Sequence, residues 1–299
     1  MKIGITTSSF AEYSDEPFKL LEQKGIKYEL NPFARKLTED ETKKILKGCA
    51  GVVAGTEPLT AQVFGALPNL KVISRCGVGL DNVDLAAAKQ NGITVKNTPF
   101  GPTLAVAELT LGLVLALLRG VCRMDRELRR GVWQKRMGHG LSGKKLGIIG
   151  FGRIGQAVAA AFSPLSVEIA YSDPDVNNKM FSKKKMKNLL RWADIVSIHC
   201  SMPKICQNLI GNSELLLMQK GAFLINIARG GIVNENALYE ALSSNHLGGA
   251  AVDVFGTEPY RGPLRDLDNI ILTPHIGSYA RESRIQMEID AVKNLIGAL

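Results

Sequence analysis

Cysteine is scarce and odd in number. The chain has 299 residues and five cysteines, Cys49, Cys76, Cys122, Cys200 and Cys206. No two of them form a Cys-x-x-Cys pair, so neither a disulfide framework nor a zinc site is expected, and a reducing, cytoplasmic setting is. Long apolar runs are also missing. The longest, AVAELTLGLVLALL, is interrupted by Glu108. It falls short of the ~18 residues that span a bilayer and reads as a buried helix. The start, MKIGITTSSF, has too little apolar length for a secretory signal. Acidic residues are in deficit, 28 against 37 Lys and Arg, for a net charge of +9. Such an excess raises the question of a nucleic-acid or membrane partner. No helix-turn-helix, zinc-finger or RNA-binding signature accompanies it. The densest cluster, KKKMK at 183–187, reads as the solvated face of a helix. Neither nucleic acid nor membrane is expected as a partner.

What is present is alternation. A length of 299 residues suits two domains at the usual ~100–200 residues each. KIGIT, YEL, AGVVAG, KVISRC and ITVKN read as strands, with helical patterns such as DEPFKLLEQKGI and DLAAAKQNG between them. A long apolar helix follows, about 105–119, continued by a basic arm, RELRRGVWQKRM. A second series then begins: KKLGIIG, VEIAYSD, DIVSIHC, AFLINIA, GAAVDVF and NIILTPH. The expected fold is α/β, with two doubly wound parallel-sheet domains. The last helix, about 281–298, is expected to return to the first domain. That gives a discontinuous domain of 1–98 plus 280–299 and a second of 99–279, with candidate hinges near Thr98 and Ser278.

KKLGIIGFGRIGQAVAAAF places Gly150-Phe151-Gly152-Arg153-Ile154-Gly155 between a strand and a helix. That context gives the G-x-G-x-x-G spacing its meaning. Gly150 permits the tight turn, Gly152 close backbone approach to a pyrophosphate, and Gly155 close helix–strand packing. The helix start then offers free N–H groups to the phosphates. The next strand ends at Asp173, about 20 residues on, where a carboxylate accepts from ribose hydroxyls and repels a 2′-phosphate. The second domain is therefore expected to be a Rossmann NAD-binding domain, with NAD over NADP and Lys179 and Lys183–Lys185 as the countervailing charges.

Ligands of doubly wound sheets sit outside the carboxyl ends of the strands. Three later strands lead there to Arg229, Glu258 and His275. Arg229 offers a planar fork for a carboxylate. His275 can carry a proton near neutrality, and Glu258 would orient it and favour its charged form. A cofactor that exchanges hydride needs a group that exchanges the proton, and His275 is the candidate. Gly230 and Gly231 would leave room for the substrate and let the chain turn.

With these residues in place, the chain resembles the D-isomer-specific 2-hydroxyacid dehydrogenase family over nearly its whole length, and within it the phosphoglycerate dehydrogenases. The similarity is carried by LGIIGFGRIGQAVA, NIARGGIVNENAL, GAAVDVFGTEP and NIILTPHIGSYARE, with SRCGVGLDNVDL in the first domain. The resemblance implies hydride transfer between NAD and a small 2-hydroxy acid. It implies that Arg229 binds the substrate and that Glu258 and His275 are the acid/base pair. Asp253 would meet the nicotinamide carboxamide, and Arg153 and Ile154 the pyrophosphate. His199 and Cys200 would line the adenosine side. Thr103, Ala228 and Gly277 would lie near the cofactor. Backbone groups of Val78 and Gly79 would hold the substrate carboxylate, with Arg75 beside them. A homodimer through the helix and arm, 105–138, including Trp133, is implied as well.

Two departures are visible. After DIVSIHC the family's Pro and Thr are replaced by Ser201 and Cys206. The arginine that phosphoglycerate dehydrogenases often carry after the GVVAG strand is absent, since Ala54, Gly55 and Thr56 stand there. Arg75 and Arg35 are the remaining candidates for a substrate phosphate. The chain ends at the domain-closing helix, so feedback through an appended regulatory domain is not expected. Phosphoglycerate, glyoxylate or hydroxypyruvate, and D-lactate stay open as substrates, as does a non-catalytic NAD sensor or corepressor.

Overall fold

Short runs such as KIGI, GVVA and VISR are apolar on both faces, which suits parallel strands covered by helices on each side. In the computed structural model, which describes residues 1–201 and 207–299, the first sheet comprises β1 (Lys2–Ile5), β2 (Lys27–Leu30), β3 (Gly51–Ala54), β4 (Val72–Arg75) and β5 (Thr94–Asn97). Its order is β2-β1-β3-β4-β5, all parallel. The chain moves outward one way from β1 and the other way from β3, so the switch point lies between those two strands. Alternate residues serve opposite cores. Val52 and Ala54 join Ile73 and Val63 on one face, while Val53 joins Ile3 and Ile5 on the other. The crossovers are α1 (Glu16–Gln23), α2 (Glu39–Ile45), α3 (Ala61–Gly65) and α4 (Leu85–Gln90). Thr38 and Glu41 form a reciprocal capping box that starts α2.

The helix α5 (Gly101–Leu118) and the shorter α6 (Val121–Arg129) follow, joined at Gly120 in the left-handed conformation. The second sheet has β6 (Lys145–Ile149), β7 (Glu168–Ser172), β8 (Ser182–Lys183), β9 (Ile195–Ile198), β10 (Phe223–Asn226), β11 (Gly249–Val252) and β12 (Ile270–Leu272). Its order is β12-β11-β10-β9-β6-β7-β8, so the reversal falls between β6 and β9. Its helices are α7 (Arg153–Phe162), α8 (Met186–Trp192), α9 (Asn212–Leu217) and α10 (Glu235–Ser243). The last helix, α11 (Arg281–Ile296), lies on the first sheet, where Met287, Ala291, Val292 and Leu295 pack with Ile3, Ile5 and Val53. The two units are Met1–Pro102 with Ser278–Leu299, and Thr103–Gly277.

Two expectations need correction. The apolar helix is not fully buried, since only 44% of α5 is covered. Val106, Val114 and Leu118 face the core, but Leu104 and Leu115 are exposed. The lysine cluster is not one helix face either. Ser182 and Lys183 pair with Ala170 and Tyr171 as the edge strand β8, and α8 begins only at Met186. Pairing with the sheet edge outcompetes the local helical pattern.

Candidate active site

Strand register builds the nucleotide end of the second unit. Ile149 pairs with Ser172 on one side and Ile198 on the other. The next residues, Gly150, Asp173 and His199, therefore leave the sheet side by side. Gly150 has φ +87°, and any side chain there would overlap the His199–Cys200 backbone. A side chain at Gly155 would overlap the Gly150 carbonyl, which is the close packing that lets α7 start here. Gly152 differs, because a Cβ built on it meets nothing within 4 Å. It faces open space at the start of α7, where Arg153 and Ile154 are the first helical residues and no side chain caps the helix. A helix start with open space in front of it fits a phosphate.

Asp173 accepts from the Phe151 N–H at 2.7 Å and from the Asp175 and Val176 N–H groups, both at 2.9 Å. Partial burial acts to raise its pKa. The three donors and nearby Lys183 outweigh that and hold the carboxyl below its ordinary range. The two lysines following β7 that the structure ties down are turned to other work. Lys183 Nζ donates to the Val176 carbonyl at 2.8 Å and to Asn177 Oδ1 at 2.9 Å, and Lys184 lies 5.1 Å over the Trp192 ring. His199 Nε2 lies 2.7 Å from Ser197 Oγ, while Nδ1 is buried with no partner among the described residues. Burial pushes its pKa down to about 3, so the ring is neutral. Cys206 lies outside the described residues.

The opposite half of the same edge carries the charged trio. The strand in AFLINIA ends at Asn226, so Arg229 stands three residues beyond it. Asn226, the lone polar residue in that apolar run, holds the turn: Oδ1 accepts from the Ala228 N–H at 3.2 Å and Nδ2 donates to the Arg229 carbonyl at 3.3 Å. Arg229 Nη1 donates to the Ala228 carbonyl at 2.7 Å. Gly231 turns the chain at φ +79°. Gly230 is bare for a reason other than the expected one. A side chain on it would strike the Phe255 carbonyl, so the space it leaves is filled by protein backbone rather than by substrate. The Phe255 N–H in turn donates to Glu258 Oε1 at 3.1 Å, and the Gly256 N–H donates to Glu235 Oε1 at 2.8 Å. Glu235, at the start of α10, was not legible as part of this site.

Glu258 Oε2 lies 3.0 Å from His275 Nδ1. Both side chains are partly exposed and line a cavity of about 500 Å³ with Tyr260, Arg265 and Leu272. The carboxylate fixes one ring nitrogen, and His275 Nε2 has no partner among the described residues. His275 has φ +56°, an uncommon conformation for a residue with a side chain. Buried Asp253 holds it there. Its Oδ1 accepts from Thr273 Oγ1 at 2.6 Å and the Ile276 N–H at 2.8 Å, and its Oδ2 accepts from the Gly277 N–H at 2.9 Å. The clamp closes on both sides of His275. Thr103 stands in the first turn of α5.

The first unit has its own loop at the carboxyl edge. Arg75 ends β4, and its guanidinium folds back over Gly77, with Nη1 donating to the Cys76 carbonyl. The Gly77 N–H donates to Thr98 Oγ1 at 2.7 Å, and Asn97 Nδ2 donates to the Val78 carbonyl at 2.8 Å. These bonds set the position of Val78 and Gly79. Arg35 is committed elsewhere, gripping Glu41 with both terminal nitrogens at 2.9 and 2.6 Å.

Residues 111–277 match the family profile described as D-isomer specific 2-hydroxyacid dehydrogenase, NAD binding domain. The chain belongs to the D-isomer specific 2-hydroxyacid dehydrogenase family. It is an oxidoreductase, and its cofactor is NAD. It is similar to a hydroxypyruvate reductase of Thermotoga maritima, 36% identical over 91% of this chain and 92% of that one. It is also similar to a D-3-phosphoglycerate dehydrogenase of Archaeoglobus fulgidus, 35% identical over 95% of this chain and 55% of that one. The chain thus spans about half the length of the archaeal relative. Among solved structures, the TT0316 protein from Thermus thermophilus superposes with a TM-score of 0.94 at 35% identity, covering 100% of this chain and 96% of that one. The names of these relatives divide between substrates, so the family is shared and the acid is not.

Proposed function

We propose that this protein interconverts a small D-2-hydroxy acid and its 2-oxo acid, with Arg229, Glu258 and His275 as the catalytic residues. The observation that carries the reading is the Glu258–His275 pair, 3.0 Å apart, with Nε2 left to meet a ligand. NAD, when bound, supplies the hydride acceptor, and its reduced form the donor. In oxidation, neutral His275 takes the hydroxyl proton on Nε2, and Glu258 stabilises the imidazolium that results. In reduction, protonated His275 returns it to the carbonyl oxygen. Arg229 holds the carboxylate as a two-point fork and so fixes which face of the second carbon is presented. In the first unit, Val78 and Gly79, with Arg75 beside them, are the residues proposed to bind substrate. Gly150, Gly152, Arg153, Ile154 and Gly155 take the pyrophosphate and Asp173 the ribose. Thr103, His199, Cys200, Ala228, Asp253 and Gly277 complete the cofactor site.

The resemblance points first to phosphoglycerate, and thus to the entry to serine synthesis. It has hydroxypyruvate, glyoxylate and lactate-type acids as alternatives. The test is NADH oxidation by the purified protein with 3-phosphohydroxypyruvate, hydroxypyruvate, glyoxylate and pyruvate in parallel. Turnover of at least one is expected. Absence of all four, with NADH still bound, moves the protein to a non-catalytic NAD-binding role. The exposed side of α5 and the arm after it are assigned to a second copy of the chain. Trp133 is 82% exposed and Met137 99%, beside Leu104, Leu115 and Leu128. The described cysteines are all free thiols, which supports a cytoplasmic setting.

A further inference from the structure

The basic excess of this chain has a location in the second unit. A cavity of about 430 Å³ opens at the amino edge of the second sheet, where the strands begin. Arg229, Glu258 and His275 follow the other ends of those strands. The cavity is lined by Arg119, Arg123, Arg126, Arg136, Lys144 and Lys220, against two acids, Asp194 and Asp268. Buried Leu118, Phe223 and Ile270 line it from the core side.

The chain is shaped to make this space. α5 bends into α6 at Gly120, which has φ +61°. Arg119, Arg123 and Arg126, four and three residues apart, all reach the cavity across that bend. The arm then returns over the end of α5. Gly138 passes so close to the Leu118 carbonyl that a side chain on it would collide, and the His139 N–H donates to the same carbonyl at 2.8 Å. The His139 ring packs edge-on against Phe223, with centroids 5.6 Å apart. Lys144, directly before β6, and Lys220, three residues before β10, complete the wall on the sheet side.

Two of the six cations are spent. Glu127 accepts from Arg123 at 3.0 Å and from Arg136 at 2.7 Å, and Asp268 lies 3.4 Å from Arg123. Asp194 Oδ2 accepts from the Lys145 N–H at 2.8 Å. The side chains of Arg119, Arg126, Lys144 and Lys220 have no partner among the described residues. α6 pairs its other arginines along the helix, Arg123 with Glu127 and Arg129 with Asp125. Arg126 has Cys122 and Arg130 at the equivalent positions, so its own helix offers it no acid. Like charges gathered around one cavity repel, and an anion between them relieves the repulsion. Two guanidinium forks and two ammonium groups suit phosphate or carboxylate oxygens.

We propose that this cavity is a second ligand site, for a small polyanion bearing phosphate or carboxylate groups, held by Arg119 and Arg126 from the helices and by Lys144 and Lys220 from the sheet edge. Its ligand is not the substrate, because the cavity lies at the opposite ends of the strands from the charged trio.

The experiment is isothermal titration calorimetry on NADH-saturated protein, with pyrophosphate and citrate as probes at constant ionic strength. One site per chain is expected for at least one probe, and the tighter probe tells a phosphate ligand from a polycarboxylate. Arg119 and Arg126 are exposed, so Arg119→Ser/Arg126→Ser leaves the fold intact. It raises Kd about tenfold or more, as loss of two charged contacts does. Lys220→Ser, outside the arm, raises Kd about threefold. Two controls keep Kd within about twofold, since neither removes a cavity charge. Arg129→Ser/Arg130→Ser takes the same charge from the arm elsewhere, and Arg229→Ser opens the proposed substrate site. Absence of binding to the wild type overturns the site. So does an unchanged Kd in Lys220→Ser, or equal losses in the two arm variants, which would reduce the effect to the arm's general charge. Loss of binding in Arg229→Ser would place the anion in the substrate site and overturn the proposal as well.

Discussion

His275 shows how much one residue depends on its neighbours. Glu258 fixes Nδ1, and Asp253 holds the backbone on either side of a strained φ. His275→Gln removes the proton acceptor but not the cofactor site. Turnover should fall about 10²–10⁴-fold, while NADH affinity, read by fluorescence titration, stays near the wild-type value. Asp173 does two jobs, since the carboxylate proposed to meet the ribose also anchors three N–H groups. Asp173→Ala should therefore raise KM for both cofactors. The ratio of NADH to NADPH use isolates the charge, and it should shift toward NADPH by about tenfold or more. An unchanged ratio would remove Asp173 from cofactor choice. Glu57 makes a pH prediction. Burial raises its pKa against weaker help from Thr6, Arg75 and Gly55. The folded chain then holds a proton that the unfolded chain releases, so wild-type stability declines as pH rises through that window. Glu57→Gln keeps the acceptor without the ionisation. Its Tm relative to wild type should climb as pH rises above the ordinary carboxyl range. A pH-independent difference would mean that Glu57 ionises freely in the fold.

At the scale of elements, two glycines separate folding from binding. Gly230 lets the turn after β10 lie against the Phe255 backbone, and through it the Glu258 turn is positioned. Gly230→Ala forces these turns apart at a cost of about 1–3 kcal/mol, so thermal melts should shift down and kcat should fall with them. A side chain at Gly152 would meet no described protein atom within 4 Å. Gly152→Ala should leave Tm unchanged and raise KM for NADH. Equal Tm losses in the two variants would contradict the assignment of Gly152 to the ligand.

The whole molecule leaves one large face unexplained by its own folding. α5 is apolar all round but less than half covered, and Trp133 and Met137 project from the arm beyond it. These residues are where the proposed second copy of the chain would dock. Sedimentation velocity is expected to give a dimer for the wild type and a monomer for Leu115→Arg, which puts a charge in the middle of the face. A monomeric wild type would show that the face serves something else.

The sequence by itself determined the two α/β units and the glycine turn, and it singled out Arg229, Glu258 and His275. Those features are local: short continuous apolar runs alternating with helical patterns, glycine where a side chain cannot fit, and charge soon after an apolar run. Tertiary structure decided what each residue is paired with. Gly230 is emptied for Phe255 rather than for substrate, and Lys183, first of a lysine run expected in a helix, is drawn into a sheet edge. Glu235, Glu57 and Arg284 act across 21, 51 and 277 residues of chain. Side chains that find partners at such separations leave no periodic trace in sequence, because packing alone brings them together.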